Sequence, residues 1–103
     1  MRTAKVYLHD KPAGVLREME KKRRYRFSYL EEYEGPPISL TMPTTQKEHD
    51  FTTFPPFFDG LLPEGFQLEA LLRKRKIDRS DLFSQLIVVG QDLVGAVTVA
   101  EDE

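Results

Sequence analysis

In the run Phe57-Phe58-Asp59-Gly60-Leu61-Leu62-Pro63-Glu64-Gly65, four large apolar residues, a glycine and a proline stand directly before a helical pattern. Proline suits the first position of a helix, where its missing N–H would be unpaired anyway, so Pro63 marks where the helix begins. The apolar residues upstream must then be buried close by. The predicted helix spans Pro63 to Lys76. Glu64 falls in its first turn and Arg73-Lys74-Arg75-Lys76 in its last, each charge at the end the helix dipole favours.

At about 100° per residue, Leu68, Leu71 and Leu72 share one face, the expected core side. Phe66 lies almost opposite, among Gln67, Glu69, Ala70 and Arg73. Ala70 beside a Phe makes a shallow platform that admits a partner side chain. Either Phe66 staples back onto Leu61 or Leu62 across the helix start, or it anchors an interface, where aromatics are enriched. Pattern alone leaves both open.

The first thirty residues alternate with the period of strands. Ala4, Val6 and Leu8 share one side of a first strand. After a turn at Asp10-Lys11-Pro12-Ala13-Gly14 come a second strand, with Val15, Arg17 and Met19 alternating against Leu16 and Glu18, and a third with Tyr25, Phe27 and Tyr29 on one face. Ile38 to Met42 alternates as a short fourth strand and stops at Pro43, which cannot donate to a ladder. Thr44 to Phe54 is polar and irregular, so an exposed loop is expected. Pro55-Pro56 opens a one-turn helix ending near Gly60. Ser80 and Asp81 are N-cap candidates for a second main helix, Leu82 to about Val89, stopped by Gly90. Gln91 to Gly95 turns into a last strand, Ala96 to Val99. The expected fold is α+β: a small antiparallel sheet of about five strands with two main helices packed on one side.

At 103 residues this is one domain, residues 1–100, with an acidic tail at 101–103. A chain of this length buries roughly two-thirds of its unfolded surface, enough for one modest core. The absence of cysteine excludes disulfides, thiolate metal sites and thiol nucleophiles, and suits a reducing cytoplasm. The first residues lack the apolar stretch of a signal peptide, and the longest apolar run, Leu86 to Val89, is far too short to span a bilayer. A net charge of −2 gives no field that would hold polyanions over the whole surface.

The remaining candidates are weaker. Lys21-Lys22-Arg23-Arg24 with Arg26, interleaved with Tyr25 and Phe27, could neutralise phosphates and stack on bases. Alternation instead assigns both aromatics to the core and leaves a charged hairpin. His9 and His49 have no second imidazole at ligand spacing, so neither a metal nor another cofactor is expected. Ser28, Ser39, Ser80 and Ser84 have no neighbouring histidine to activate them. Asp59 and Glu64 form a carboxylate pair without further support for acid–base work. Gly90 to Gly95 lacks the Gly-Lys-Ser/Thr of a phosphate loop. No enzyme is expected from these residues.

The ordered set Ile38-Ser39-Leu40-Thr41-Met42-Pro43, Phe57 to Gly65, Asp81-Leu82-Phe83 and Gly90-Gln91-Asp92-Leu93-Val94-Gly95-Ala96 resembles the N-terminal subdomain of HipA-type serine/threonine kinases, toxins of bacterial toxin–antitoxin modules. The likeness runs from the first strand to Ala96. The sequence has no ATP-binding loop, catalytic Asp or metal-binding Asp of the kinase part, and so is similar to the HipS-like antitoxins of split, three-gene HipBST systems. That resemblance implies a cytoplasmic, non-enzymatic protein that binds and inhibits a HipT-like serine/threonine kinase, in a larger complex with a HipB-like helix-turn-helix DNA-binding protein. It implies no membrane partner and no direct nucleic-acid binding. Pro63, Glu64, Gly65, Phe66, Gln67, Glu69, Ala70 and Arg73 would form the partner-binding surface, with Phe66 presented to the active-site cleft. Two alternatives stay open: a non-inhibitory structural subunit that completes the kinase and anchors HipB, and a small nucleic-acid-binding module.

Overall fold

The alternating first third of the chain folds into a meander of three strands: β1 (Arg2–Leu8), β2 (Lys11–Glu20) and β3 (Arg24–Tyr29). The computed structural model describes residues 1–93 and 95–102. Strand β4 (Glu48–Phe51) adds to the outer edge of β3, and β5 (Val97–Glu101) to the outer edge of β1. The order is β4-β3-β2-β1-β5, with every neighbour antiparallel. Between β4 and β5 lie a one-turn helix α1 (Pro56–Asp59), the two main helices α2 (Gly65–Arg75) and α3 (Leu82–Val89), and a 3-10 turn at Gly90–Asp92. The fold is α+β, a five-stranded antiparallel sheet with two main helices.

One face of the sheet carries the core. Ala4, Val6, Leu16, Phe27 and Val99 from the strands meet Phe58 from α1 and Phe83 and Leu86 from α3, all essentially inaccessible to water. Tyr25, Phe27 and Tyr29 alternate inward as their spacing requires. Phe27 sets its ring edge-on to Tyr29 and tilted against Phe58, the arrangements that aromatic quadrupoles favour.

Several boundaries differ from the sequence-based expectation. The turn after β1 is only His9-Asp10, both at positive φ as two-residue hairpin turns of the I′ class need. Pro12, Ala13 and Gly14 therefore lie inside β2. Gly14 is a packing requirement: a Cβ there would stand 2.4 Å from the Ser28 carbonyl oxygen and 2.6 Å from the Phe27 ring.

The fourth strand is not Ile38–Met42. That segment is a turn closed by a single bridge, Ser39 to Met42. Tyr29 holds it, its hydroxyl accepting from Ile38 N–H at 3.0 Å and donating to the Met42 carbonyl. The edge strand forms within the expected loop. His49 points inward there, its Nε2 3.0 Å from the Pro43 carbonyl, while Asp50 on the solvent side binds Arg26 at 2.6 Å. Strand β5 likewise runs past Val99 to Glu101, and Asp102 N–H donates to Thr3 O, so these two residues are not a solvated tail. Val94 and Glu103, assigned by sequence to a turn and a tail, fall outside the described residues.

Candidate functional site

Helix α2 stands on a fixed base. Phe58 and Leu62 are buried, and α1 closes with Gly60 N–H on Pro56 O and Leu62 N–H on Asp59 O. Pro63 stiffens the next step. Glu64 is extended (φ −130°) as the N-cap, and Gly65 takes φ +60° in open space. The helix thus begins at Gly65, two residues later than expected. Pro63 is its lead-in and not its first residue, and Glu64 gives no side-chain cap.

Phe66 is 95% exposed on the first turn of α2. It does not staple back onto Leu61 or Leu62. Burying a Phe side chain is worth roughly 1.5–3 kcal/mol, and this fold forgoes nearly all of it. Glu64, Gly65, Gln67, Glu69, Ala70 and Arg73 are exposed around it, and Pro63 is half-buried. Phe66, Ala70 and Arg73 fall on one stripe at i, i+4 and i+7. Glu69 is held by Arg79 at 2.7 Å.

The opposite face of α2 is not the core face expected for it. Leu68, Leu71 and Leu72 are only half-buried, and no residue of the helix is fully buried. The packing helix is α3, whose Phe83, Gln85 and Leu86 are buried. Helix α2 is therefore an appendage fixed at its two ends, with the Lys76 N–H closing on Leu72 O in a left-handed C-cap.

Leu40 is a second large apolar side chain left in water, 94% exposed at the tip of the Ser39–Met42 turn. Alternation pairs it with Ile38 and Met42, which are buried. Only the turn geometry separates them, and no sequence signal announces it.

The strongest electrostatic cluster pins α3 to the sheet. Arg2 forks onto Glu18 at 2.8 and 2.9 Å and reaches Asp81 at 2.9 Å and Ser84 Oγ at 2.8 Å. Asp81 is the N-cap of α3 and accepts from Ser84 N–H at 3.2 Å. Burial alone would push the Glu18 and Asp81 carboxyls up, but the Arg2 guanidinium and the nearby N–H and O–H donors hold both below their usual range. Burial, with the Glu18 charge, pushes the Tyr25 hydroxyl up to about 12. These groups satisfy one another, which marks a structural clamp.

The other candidates also resolve into structure. Tyr25 and Phe27 are buried, so they offer no stacking platform, and Arg26 is engaged by Asp50 and Glu48. Ser84 and Ser80 bond Asp81 and Asp78 as local caps, and Ser39 bonds Thr41. Gly90 is there for close approach: a Cβ would lie 2.1 Å from the Val99 carbonyl oxygen. Gly95 sits at φ +124°, open to glycine at little cost. Among the described residues no cluster of His, Asp or Glu is placed to hold a metal ion, and no helix is long and apolar enough to cross a membrane.

Comparison with known proteins agrees with this architecture. A family model described as the HipA N-terminal domain matches residues 4–100. A solved structure described as the N-terminal domain of HipA toxin superposes with a TM-score of 0.80 at 33% identity, covering all of this chain and 94% of that one. An uncharacterized protein of Haemophilus influenzae is 36% identical over the whole chain, which spans 95% of that protein. A putative kinase, Y4dM, of Sinorhizobium fredii is 31% identical over 95% of the chain, which spans 26% of that protein.

Proposed function

The chain belongs to the HipA N-terminal domain family, and on that premise we propose that it is an antitoxin that binds and inhibits a HipT-like serine/threonine kinase. It acts without chemistry of its own. The domain docks on the kinase, the start of α2 faces the active-site cleft, and the Phe66 ring enters it, excluding substrate or holding the lobes apart. Pro63, Glu64, Gly65, Gln67, Glu69, Ala70 and Arg73 surround the ring in the interface. A HipB-like helix-turn-helix protein joins the same complex and supplies sequence-specific DNA binding.

One observation carries this: Phe66 projects into water from a helix whose base is nailed down by buried Phe58 and Leu62. A rigid support lowers the ordering cost of binding, and a buried aromatic near the centre of an interface is the usual form of a hot spot. The test is an assay of the purified kinase with the wild-type chain or Phe66→Ala. Inhibition by the first and not by the second supports the mechanism. Full inhibition by the variant removes Phe66 from it.

The alternative of a non-inhibitory subunit has its own support. In the putative kinase Y4dM the matching segment is about a quarter of a longer chain, so this type of domain also occurs as a covalent part of such proteins. On that account the separate chain completes the kinase and anchors HipB. Kinase activity would then stay level or rise when the chain is added.

A further inference from the structure

Helix α3 hides only one of its faces. Phe83, Gln85 and Leu86 are buried, while Ile87, Val88 and Val89 at its end stay half-buried. Ile87 and Val88, with Ile77, give an apolar lining to a groove of about 540 Å³. Arg75 reaches it from the end of α2, and Glu101 and Asp102 from the end of β5. We propose that this groove docks the partner kinase, taking the apolar segment that follows the domain where both belong to one chain. The proposal rests on the kinase reading above and extends its interface from the start of α2 to the far end of that helix.

Chain topology names the occupant. The family is the N-terminal domain of HipA, and in Y4dM the matching segment is 26% of a longer protein. Where more chain follows such a domain, it leaves from the last strand, β5, and Asp102 at the end of that strand lines the groove. The first residues beyond it are therefore within reach of Ile87 and Val88. A kinase made as a separate chain offers the same segment in trans. The groove is also continuous with the surface around Phe66. Arg75 follows Phe66 by nine residues, about 14 Å along the axis of α2, which fits inside an ordinary interface of about 800 Å² per partner.

Other occupants fit less well. A second copy could pair with the outer edge of β5, but that edge is obstructed. Ala96 O and Asp102 N–H bond to β1, so alternation turns the Val99 carbonyl outward, where a Cβ on Gly90 would stand 2.1 Å from it. A small polar ligand finds no waiting partner either. Arg2 and Ser84, the polar side chains beside Phe83, are taken up by Glu18 and Asp81. Among the described residues no buried side-chain nitrogen or oxygen lacks a partner. Arg75 and Glu101 form no ion pair among those residues, which leaves one charge of each sign to orient an apolar segment.

The experiment reads binding and not inhibition, by calorimetric titration of a HipT-like kinase with this chain. Ile87→Asp and Val88→Asp should each weaken the affinity of wild type by about tenfold or more, with the thermal midpoint of each variant recorded alongside. A kinase lacking its leading segment tests the groove with this chain unaltered, and its affinity should fall by a similar factor. At saturating concentration the folded groove variants should still inhibit fully, because Phe66 is intact in them. If wild type binds and the folded variants bind equally well, or the shortened kinase binds as tightly as the whole one, the groove is overturned and the Phe66 reading is untouched. If wild type fails to bind the kinase, the kinase reading falls and the groove falls with it. A dimer of this chain that the groove variants abolish would assign the surface to a second copy and overturn the proposal.

Discussion

Arg2 Nη2 stands 2.9 Å from Asp81 Oδ1, joining strand β1 to the N-cap of α3 across 79 positions of sequence. The same guanidinium covers the buried carboxylate of Glu18. Helix α3, strand β1 and strand β2 therefore share one charged rivet, with the Arg2 guanidinium resting over the Phe83 ring at 4.9 Å.

Arg2→Ala strands Glu18 in the interior. The expected loss is about 2–3 kcal/mol near neutral pH, between the small value of exposed ion pairs and the larger value of fully buried ones. The folded pKa values of Glu18 and Asp81 are depressed, so their contribution is complete above the unfolded carboxylate pKa, about 4, and is lost as pH falls through the folded values. Urea denaturation should show wild type weakening in acid, and the gap to Arg2→Ala closing below about pH 4. A gap independent of pH would contradict this assignment.

Gly90→Ala places a Cβ against the Val99 carbonyl, where backbone and not a flexible side chain must move. A loss of about 1–3 kcal/mol or more is expected, read as a lower denaturation midpoint. A neutral result would mean that the junction of α3 and β5 is looser than described.

Phe58→Ala and Leu71→Ala separate the core from the appendage. Phe58 is wholly buried, and its truncation should cost about 3–5 kcal/mol. Leu71 is half-buried on α2 and should cost less than about 2 kcal/mol, the lower bound for a fully buried leucine. Equal losses would show that α2 is packed as tightly as the sheet.

The contrast explains what the sequence disclosed. The three-strand meander was legible because Tyr25, Phe27 and Tyr29 alternate strictly, and α3 because Asp81 and Gly90 bound an apolar run. Strand β4 was hidden because it is short, polar and paired on one side only, with His49 its single buried residue. Ile38–Met42 alternates yet forms a turn, since the Tyr29 hydroxyl, distant in sequence, satisfies its backbone. The leucines of α2 have helical spacing, but periodicity cannot say whether a surface awaits them within the chain or outside it. Phe66 stood out because its position contradicted its neighbours.

The most direct measurement is inhibition of a HipT-like kinase by Phe66→Ala compared with wild type, alongside the stability of both. With 95% of the side chain in water, the substitution should change folding stability by no more than about 0.5 kcal/mol. Loss of a central aromatic anchor should weaken inhibition by roughly 30-fold or more, the equivalent of about 2 kcal/mol. A variant that folds normally and no longer restrains the kinase is the predicted result. A variant that folds normally and inhibits as well as wild type would contradict the account.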